Sequence, residues 1–318
     1  MKVLSDIASG TAHGKFILIG EHSVVYNEPA IAIPFSSANV EVTIQKSHGE
    51  STIDSIYHNG KIKDAPHTIK NLVETLTEIC NFFKTDTKGL HIIIRSNIPA
   101  ERGMGSSAAV ATALVRALFN FFDEKLTDKL LNQFVSVSEK IAHGNPSGLD
   151  AFIVRSEQML YFIRNQKPEF FTVDLPGYIV IADTGDHGET AAAVQAVAEL
   201  VANPGTKGQN WIKELGELTK QARHFIEKKD LKSLGEILNQ AQTNLSNLKV
   251  SNEKIDRLVQ VAKANGALGA KLTGGGRGGC MITLVETEEE ANKMSVFLQD
   301  AGATKTWIHP LGVNDYDN

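Results

Sequence analysis

Residues 103–122 read GMGSSAAVATALVRALFNFF. Two glycines and two serines form a turn, and the segment after it is apolar on nearly every side of a helix, with Arg116 as the main interruption. A helix that is apolar all round has to be buried in a protein core. The stretch therefore predicts a glycine-rich turn that leads directly into a buried helix.

The start of this helix is a candidate anion-binding site. The first backbone N–H groups of a helix have no partner within it, and the helix dipole adds partial positive charge there. Gly103 and Gly105 would let the chain turn closely around a phosphate, and the hydroxyls of Ser106 and Ser107 could reach a phosphate-bound Mg²⁺. The alternative is that Ser106 simply caps a structural helix, and the two interpretations are compatible.

The rest of the chain predicts an α+β protein of two domains. Short apolar runs predict a sheet-rich first domain, 1–168, and helical periodicity predicts a helix-rich second domain, 169–318. The polar stretch RNQKPE marks the boundary between them. We expect strands at 16–20, 29–35, 40–44, 91–95, 159–163, 178–182 and 280–285, and helices at 67–83, 106–122, 128–143, 189–202, 208–228, 230–247, 252–265 and from Thr287 onward.

The helix predicted over 128–143 ends at Gly144, a usual capping residue. Glu139 is expected on the face that points away from the core. The expected core face comprises Leu130, Phe134, Val137 and Ile141.

Composition and charge limit the range of possible functions. The 318 residues are 42% hydrophobic, enough for a sizeable core, and a formal net charge of −5 favours neither a nucleic acid nor an anionic membrane as partner. We expect a small-molecule substrate; the oligomeric state stays open, with a homodimer as one option. Cys80 and Cys280 stand far apart, so neither a disulfide framework nor a cysteine zinc site is expected. With no apolar run of transmembrane length, we expect a cytoplasmic protein.

Two further glycine clusters have different contexts. The segment TGGGRGG at 273–279 precedes the strand CMITLV rather than a helix, so it is not a dinucleotide fingerprint. Its glycines form a tight turn between two strands or let another segment or a ligand approach the backbone. The other cluster, SGTAHGK at 9–15, does not have the residue spacing of a Walker A loop. Lys15 is nevertheless a candidate phosphate ligand, although a solvated lysine is the default interpretation.

Glu21 and His22 interrupt two apolar runs in FILIGEHSVVY, where an uncompensated charge is unfavourable. A pair satisfied by each other or by backbone groups would explain them structurally. The alternative is a substrate-binding pair, and the presence of Lys15 nearby in the sequence favours this hypothesis.

Asp150 lies at the end of the turn-rich segment HGNPSGLD. Ser147 and Asp150 have the spacing of a helix capping box, which is the structural explanation for this carboxylate. A long, specific loop that presents one carboxylate favours a functional role, since loops carry a large share of functional residues.

Four segments together resemble the GHMP small-molecule kinases: AHGKFILIGEHSVVY, IPAERGMGSSAAV, HGNPSGLD and KLTGGGRGGCMITL. They follow the order and spacing of that family over nearly the whole chain. GSSAA and TGGGxGG are shared across the family, whereas GEHSVVY and HGNPSGLD are most similar to the members that phosphorylate mevalonate.

The resemblance implies a ribosomal-protein-S5-like first domain, a ferredoxin-like second domain, and a kinase that uses ATP and Mg²⁺. It implies that Asp150 faces the acceptor hydroxyl beside Lys15, and that Ser107 and Glu139 ligate Mg²⁺. The implied ATP-binding residues are Gly103, Met104, Gly105, Ser106, Ser107, Ala108 and Ala109, and the implied substrate-site residues are Glu21, His22, Thr190, Gly275 and Gly276.

Several other functions compete with this hypothesis. A related kinase could act on phosphomevalonate, galactose or homoserine, and a diphosphomevalonate decarboxylase shares the motifs. A sensor could keep the fold and bind ATP without turnover, but Lys15, Ser107, Glu139 and Asp150 are all retained. An oxidoreductase built on GMGSSA is the weakest alternative, because SNIPAER separates the preceding strand from the glycines.

Overall fold

A computed structural model describes residues 5–144, 147–172 and 174–312, without the side chain of His143. The chain forms two compact units, each built from discontinuous segments. Unit 1 comprises the described parts of Met1–Lys15, Pro34–Pro99 and Gly105–Glu157, and unit 2 comprises those of Phe16–Ile33, Ala100–Met104 and Gln158–Asn318. The predicted domain boundary at residue 168 stays a prediction.

Unit 1 combines a sheet with a layer of helices. The end of β2 pairs antiparallel with β5, and β3 pairs parallel with β5 and antiparallel with β4. The elements are β1 (Ile7–Ile19) and β2 (Ala30–Lys46), which both continue into unit 2, β3 (Thr52–Asp54), β4 (Asn59–Lys61), β5 (Leu90–Ser96), α1 (Lys70–Phe82), α2 (Ser106–Phe121), α3 (Asp128–His143) and α4 (Leu149–Ile153).

The apolar helix predicted from the glycine turn is α2, and it is buried as expected. Its alanines and leucines are covered by α1 and α3, and Phe119 stacks among the rings of Phe83 and Phe134. Gly10 of β1 lies against the α2 backbone at Ala113, where a side chain would collide with the helix. This close contact fixes β1, and Lys15 farther along it, against α2.

The expected core face of α3 is wrong by one position. Ile141 is exposed and Leu130 and Val137 are only half-buried, whereas Leu131, Phe134, Val135 and Ser138 are buried. The reason is tertiary: α1 and α2 both cover α3, and Asn71 of α1 donates a hydrogen bond to Ser138. Glu139 is therefore buried rather than on the outward face.

Unit 2 contains a four-stranded antiparallel sheet with the order β11-β8-β10-β9. Helices α7 and α8 contact β9, and α9 contacts β8 and β11. The elements are β6 (Met159–Phe162), β7 (Glu169–Phe171), β8 (Tyr178–Asp183), β9 (Gly269–Thr273), β10 (Cys280–Val285), β11 (Lys305–Pro310), α5 (Thr190–Ala202), α6 (Gly208–Glu227), α7 (Leu231–Asn247), α8 (Glu253–Ala264) and α9 (Glu288–Asp300).

The α+β class and the eight helices predicted are confirmed, including the capping box of Thr287 and Glu290 on α9. The runs at 29–35 and 40–44 are one strand, β2, rather than two. Strands β3, β4, β7, β9 and β11 are additional to the prediction. In the described part of the chain, no helix is long and apolar enough to cross a membrane.

Candidate active site

The glycine turn before α2 has the backbone geometry of a tight, left-handed connection. Gly103 and Gly105 have φ values of 77° and 73°, which side-chain-bearing residues rarely adopt. Gly105 is the residue that caps α2, without any side-chain cap, so Ser106 does not have the capping role of the structural alternative. Met104, Ala108 and Ala109 are buried. The first N–H groups of α2 thus remain available to an anion.

Lys15 and Asp150 form an ion pair within unit 1. Lys15 Nζ lies 3.1 Å from Asp150 Oδ1; the lysine side chain is 4% exposed and the aspartate side chain 30% exposed. A side chain at Gly105 would collide with the Lys15 side chain. The glycine therefore lets a nearly buried cation lie beside the N-terminus of α2, where both favour negative charge.

Asp150 does not form the expected capping box. Gly148 is the N-cap of α4, and the Ser147 hydroxyl accepts a hydrogen bond from the Leu149 N–H at 3.3 Å. The Asp150 carboxylate instead faces Lys15. The structural explanation of Asp150, a capping box with Ser147, is therefore wrong. The part of the loop at 145–146 lies outside the described residues.

Ser107 and Glu139 are also brought together in unit 1. Ser107 Oγ donates a hydrogen bond to Glu139 Oε1 at 2.9 Å, which joins the first turn of α2 to α3. Burial raises the pKa of Glu139 to about 7, and the negative charge of Asp150 acts in the same direction. The Ser107 hydrogen bond and the Lys15 charge oppose this shift. A buried carboxylate and a hydroxyl thus offer two oxygen ligands side by side.

The raised pKa of Glu139 leads to a prediction about stability. Between about pH 4.5 and pH 7 the folded protein holds a proton that the unfolded chain has released, so stability falls as pH rises through this window. Glutamine has no carboxyl group to titrate, so the variant Glu139→Gln does not lose stability in this pH window. We expect the variant to be more stable than the unchanged protein at pH 8, by about 1 to 3 kcal/mol, and to differ little at pH 5.

Thermal denaturation at both pH values, in buffer with a chelator, measures this difference. Glu78→Gln serves as the control, because Glu78 lies exposed on α1. A Glu139→Gln protein that is less stable than the unchanged protein at pH 8 would show that the Glu139 carboxylate is not destabilised by its surroundings.

Within unit 2, Glu21 pairs with a lysine that the sequence analysis missed. Lys271 Nζ lies 2.5 Å from Glu21 Oε1, and both side chains are fully buried. The signal was present in the sequence, because GAKLT places a lysine inside an otherwise apolar strand. The structural alternative was that Glu21 and His22 are satisfied by each other or by backbone groups. Glu21 instead pairs with Lys271, whereas His22 does contact a backbone carbonyl.

His22 contacts the glycine loop after β9. Its Nε2 atom lies 3.0 Å from the Gly275 carbonyl oxygen, which can only accept, so Nε2 carries the hydrogen. Burial lowers the pKa of His22 to about 4, so the ring is neutral at pH 7 and Nδ1 has no hydrogen. Among the described residues this buried Nδ1 atom has no hydrogen-bond partner. His22 thus offers a buried hydrogen-bond acceptor.

The glycines between β9 and β10 let other segments pack closely against the loop that His22 contacts. This agrees with the interpretation of TGGGRGG as a loop that another segment can approach. A side chain at Gly275 would collide with Thr190, the first residue of α5. One at Gly276, whose φ is 76°, would collide with the Val250 carbonyl, and Gly103 lies directly against Gly274. Unit 2 therefore brings together His22, Thr190 and Gly275.

The sequence models of one family match both halves of the chain. The model described as "GHMP kinases N terminal domain" matches residues 67–156, and the model described as "GHMP kinases C terminal" matches residues 222–304. Together they span more than half of the 318 residues.

Curated relatives match over nearly their whole length. The mevalonate kinase of Pyrococcus abyssi is 31% identical, with 92% of each chain covered, and that of Aeropyrum pernix is 31% identical, with 89% of this chain and 90% of the relative covered. Phosphorylation of a small molecule is thus the activity named for proteins similar to this chain.

Solved structures match in the same way. Mevalonate kinase from Staphylococcus aureus MRSA252 is 35% identical, with a TM-score of 0.71 over 97% of this chain and 100% of the other. Mevalonate kinase from L. major in complex with R-mevalonate is 25% identical, with a TM-score of 0.82 over 97% and 98%. A phosphomevalonate kinase from Streptococcus pneumoniae, at 15% identity and a TM-score of 0.79, shares the fold alone.

Proposed function

This chain belongs to the GHMP kinases and, within them, to the mevalonate kinases, and on that premise we propose that it phosphorylates mevalonate. The γ-phosphoryl group of ATP would pass to the primary hydroxyl, giving 5-phosphomevalonate and ADP in isoprenoid biosynthesis. The observation that carries the proposal is the pairing of Lys15 with Asp150 beside the uncapped N-terminus of α2, in a chain that matches mevalonate kinases over almost its full length.

The phosphates of ATP would bind at the turn from Gly103 to Ala109. Phosphoryl transfer depends mainly on positioning and on neutralising the charge of the phosphate oxygens. The free N–H groups of α2 and the ammonium group of Lys15 are suited to both tasks, because they are fixed before the ligand arrives. Ser106 adds a hydroxyl donor in the first turn of the helix, whereas the Ser107 hydroxyl donates to Glu139.

Asp150 would act on the acceptor. As the hydroxyl oxygen attacks the γ-phosphorus, its proton has to leave, and a carboxylate oxygen of Asp150 would accept it. The alternative is that Asp150 only orients the hydroxyl for attack. Lys15 supports both roles, because the contact of its ammonium group holds the carboxylate in place.

Ser107 on α2 and Glu139 on α3 together fit a magnesium ion. Glu139 and Ser107 would hold it through a carboxylate and a hydroxyl oxygen. The pKa of Glu139, raised to about 7 by burial, fits a site whose carboxylate gains from a nearby cation. When bound, the ion supplies neutralisation of the phosphate charge.

Within unit 2, the residues that would contact the acceptor are Glu21, His22, Thr190, Gly275 and Gly276. His22 offers a hydrogen-bond acceptor, and Thr190 offers a hydroxyl next to Gly275. Such groups suit a small hydroxy acid. The motifs carry too little positive charge for an acceptor that already bears a phosphate.

The experiment that tests this function measures ADP release with four acceptors at matched concentrations: mevalonate, phosphomevalonate, galactose and homoserine. We expect the highest kcat/KM with mevalonate. A higher value for one of the other acceptors would overturn the choice of substrate. Absence of turnover with every acceptor would favour the ATP-binding sensor.

We also propose that the enzyme acts in the cytoplasm. Two buried cysteine thiols, Cys80 and Cys280, suit a reducing compartment. A homodimer remains one option for its assembly.

A further inference from the structure

Three side chains of unit 2 connect the segment from Ile17 to His22 with β9 and the loop after it. Thr273 Oγ1 accepts a hydrogen bond from the Ile17 N–H at 3.0 Å and donates one to the Ile17 carbonyl at 2.9 Å. Lys271 pairs with Glu21, and His22 donates to the Gly275 carbonyl. The two residues proposed to read the acceptor are thus each held by the same short stretch, 271–275.

Lys271 is an unusual residue for a fully buried strand, the edge strand β9. It is 0% exposed, and its Nζ atom donates both to Glu21 and to the Leu272 carbonyl, at 2.5 and 2.6 Å. A buried ion pair of this kind rarely stabilises a fold more than well-packed apolar residues would, because both charges have lost their water. Its clearest contribution is to orientation, since the ion pair fixes the position of the Glu21 carboxylate.

The conformation of His22 depends on this orientation. His22 has a φ of 61°, a left-handed backbone conformation that is unfavourable for a residue with a side chain. Such a conformation persists where neighbouring contacts hold it. These contacts include the Glu21–Lys271 pair, the hydrogen bond to Gly275 and the backbone hydrogen bond from the Ser23 N–H to the Glu21 carbonyl.

We infer that Lys271 is a positioning residue of the acceptor site: by holding the Glu21 carboxylate it fixes His22 with Nδ1 as a hydrogen-bond acceptor for the substrate. This inference rests on the proposed function, because it assigns Lys271 to the binding of mevalonate rather than of ATP. Lys271 itself touches neither, since its ammonium group is engaged by Glu21 and Leu272.

The variant Lys271→Met shows whether Lys271 positions the acceptor site or only stabilises the fold. The variant leaves the Glu21 carboxylate in the core without its cation, and the segment would rearrange to hydrate it. We expect the KM for mevalonate to rise by about 10-fold or more, while the KM for ATP changes by less than about 2-fold. The melting temperature should fall as well.

Leu272→Ala is the matched control. Leu272 is the next residue of β9, equally buried, and has no side-chain contact with Glu21 through a hydrogen bond or charge. It should lower the melting temperature with both KM values nearly unchanged, because its loss leaves a cavity and no unpaired charge. An equal rise of both KM values in Lys271→Met, or the same kinetic profile in both variants, would overturn the inference.

If Lys271→Met does not fold, the double variant Glu21→Gln/Lys271→Met replaces it, because it removes both charges together. It should regain stability yet keep the raised KM for mevalonate. A KM like that of the unchanged enzyme would show that the pair is not needed for positioning. Activity of the unchanged enzyme on mevalonate tests the proposed function separately, so the two can fail independently.

Discussion

Asp150→Asn is expected to lower kcat with mevalonate by about 100-fold to 10,000-fold, the usual contribution of a positioned proton acceptor. Asparagine keeps the shape of the side chain but cannot take up the proton of the acceptor hydroxyl. The affinity for ATP, measured by the binding of a fluorescent nucleotide without mevalonate, should stay near that of the unchanged enzyme. Steady-state ADP release then measures the loss of turnover.

Asp128→Asn is a close control for this variant. Asp128 also lies in unit 1 and also forms a 3.1 Å ion pair, with Arg155, but its side chain is 90% exposed. It should have nearly unchanged kinetics, because an exposed ion pair contributes little. Turnover of Asp150→Asn within a few-fold of the unchanged enzyme would remove Asp150 from the mechanism.

Lys15→Met is expected to lower kcat by about 100-fold to 1,000-fold, as the loss of one preorganised charge in a transition-state site does. Two effects combine in this variant. The phosphates lose a nearly buried cation beside α2, and Asp150 loses the group that holds it in place. Lys46→Met, at the exposed end of β2, should leave the kinetics unchanged.

The double variant Lys15→Met/Asp150→Asn shows whether the two residues act as a unit. Groups that act together are strongly non-additive, so the double variant should be little slower than the slower single variant. If the two losses instead multiply, Lys15 and Asp150 work independently, and the ion pair of the free enzyme has no part in catalysis.

Local sequence signals predicted the glycine turn and the buried helix α2, where we propose that the phosphates bind. The glycine turn and the apolar run after it specify the start of α2 without reference to any distant residue. The turn requires left-handed φ values at positions 103 and 105, and glycine adopts such values readily. Two capping boxes were considered from the sequence. Thr287 and Glu290 form one, whereas Asp150 pairs with Lys15 and forms none.

The features that were missed depend on contacts between distant residues. Lys271 is 250 positions from Glu21, and no pattern near either residue says that they meet. The burial of Glu139 follows from the packing of α1 and α2 on both sides of α3, which helical periodicity in α3 alone does not contain. The family resemblance supplied roles for single residues, but the partners of those residues came from the fold.

Transfer of the phosphoryl group to the primary hydroxyl of mevalonate can be observed by ³¹P NMR of the product formed with ATP. We predict one new phosphomonoester resonance, split into a triplet by the two hydrogens of the adjacent methylene group, that grows as ADP is released. A singlet would place the phosphate on the tertiary hydroxyl, whose carbon bears no hydrogen. That singlet, or release of inorganic phosphate without any phosphoester, would contradict the account.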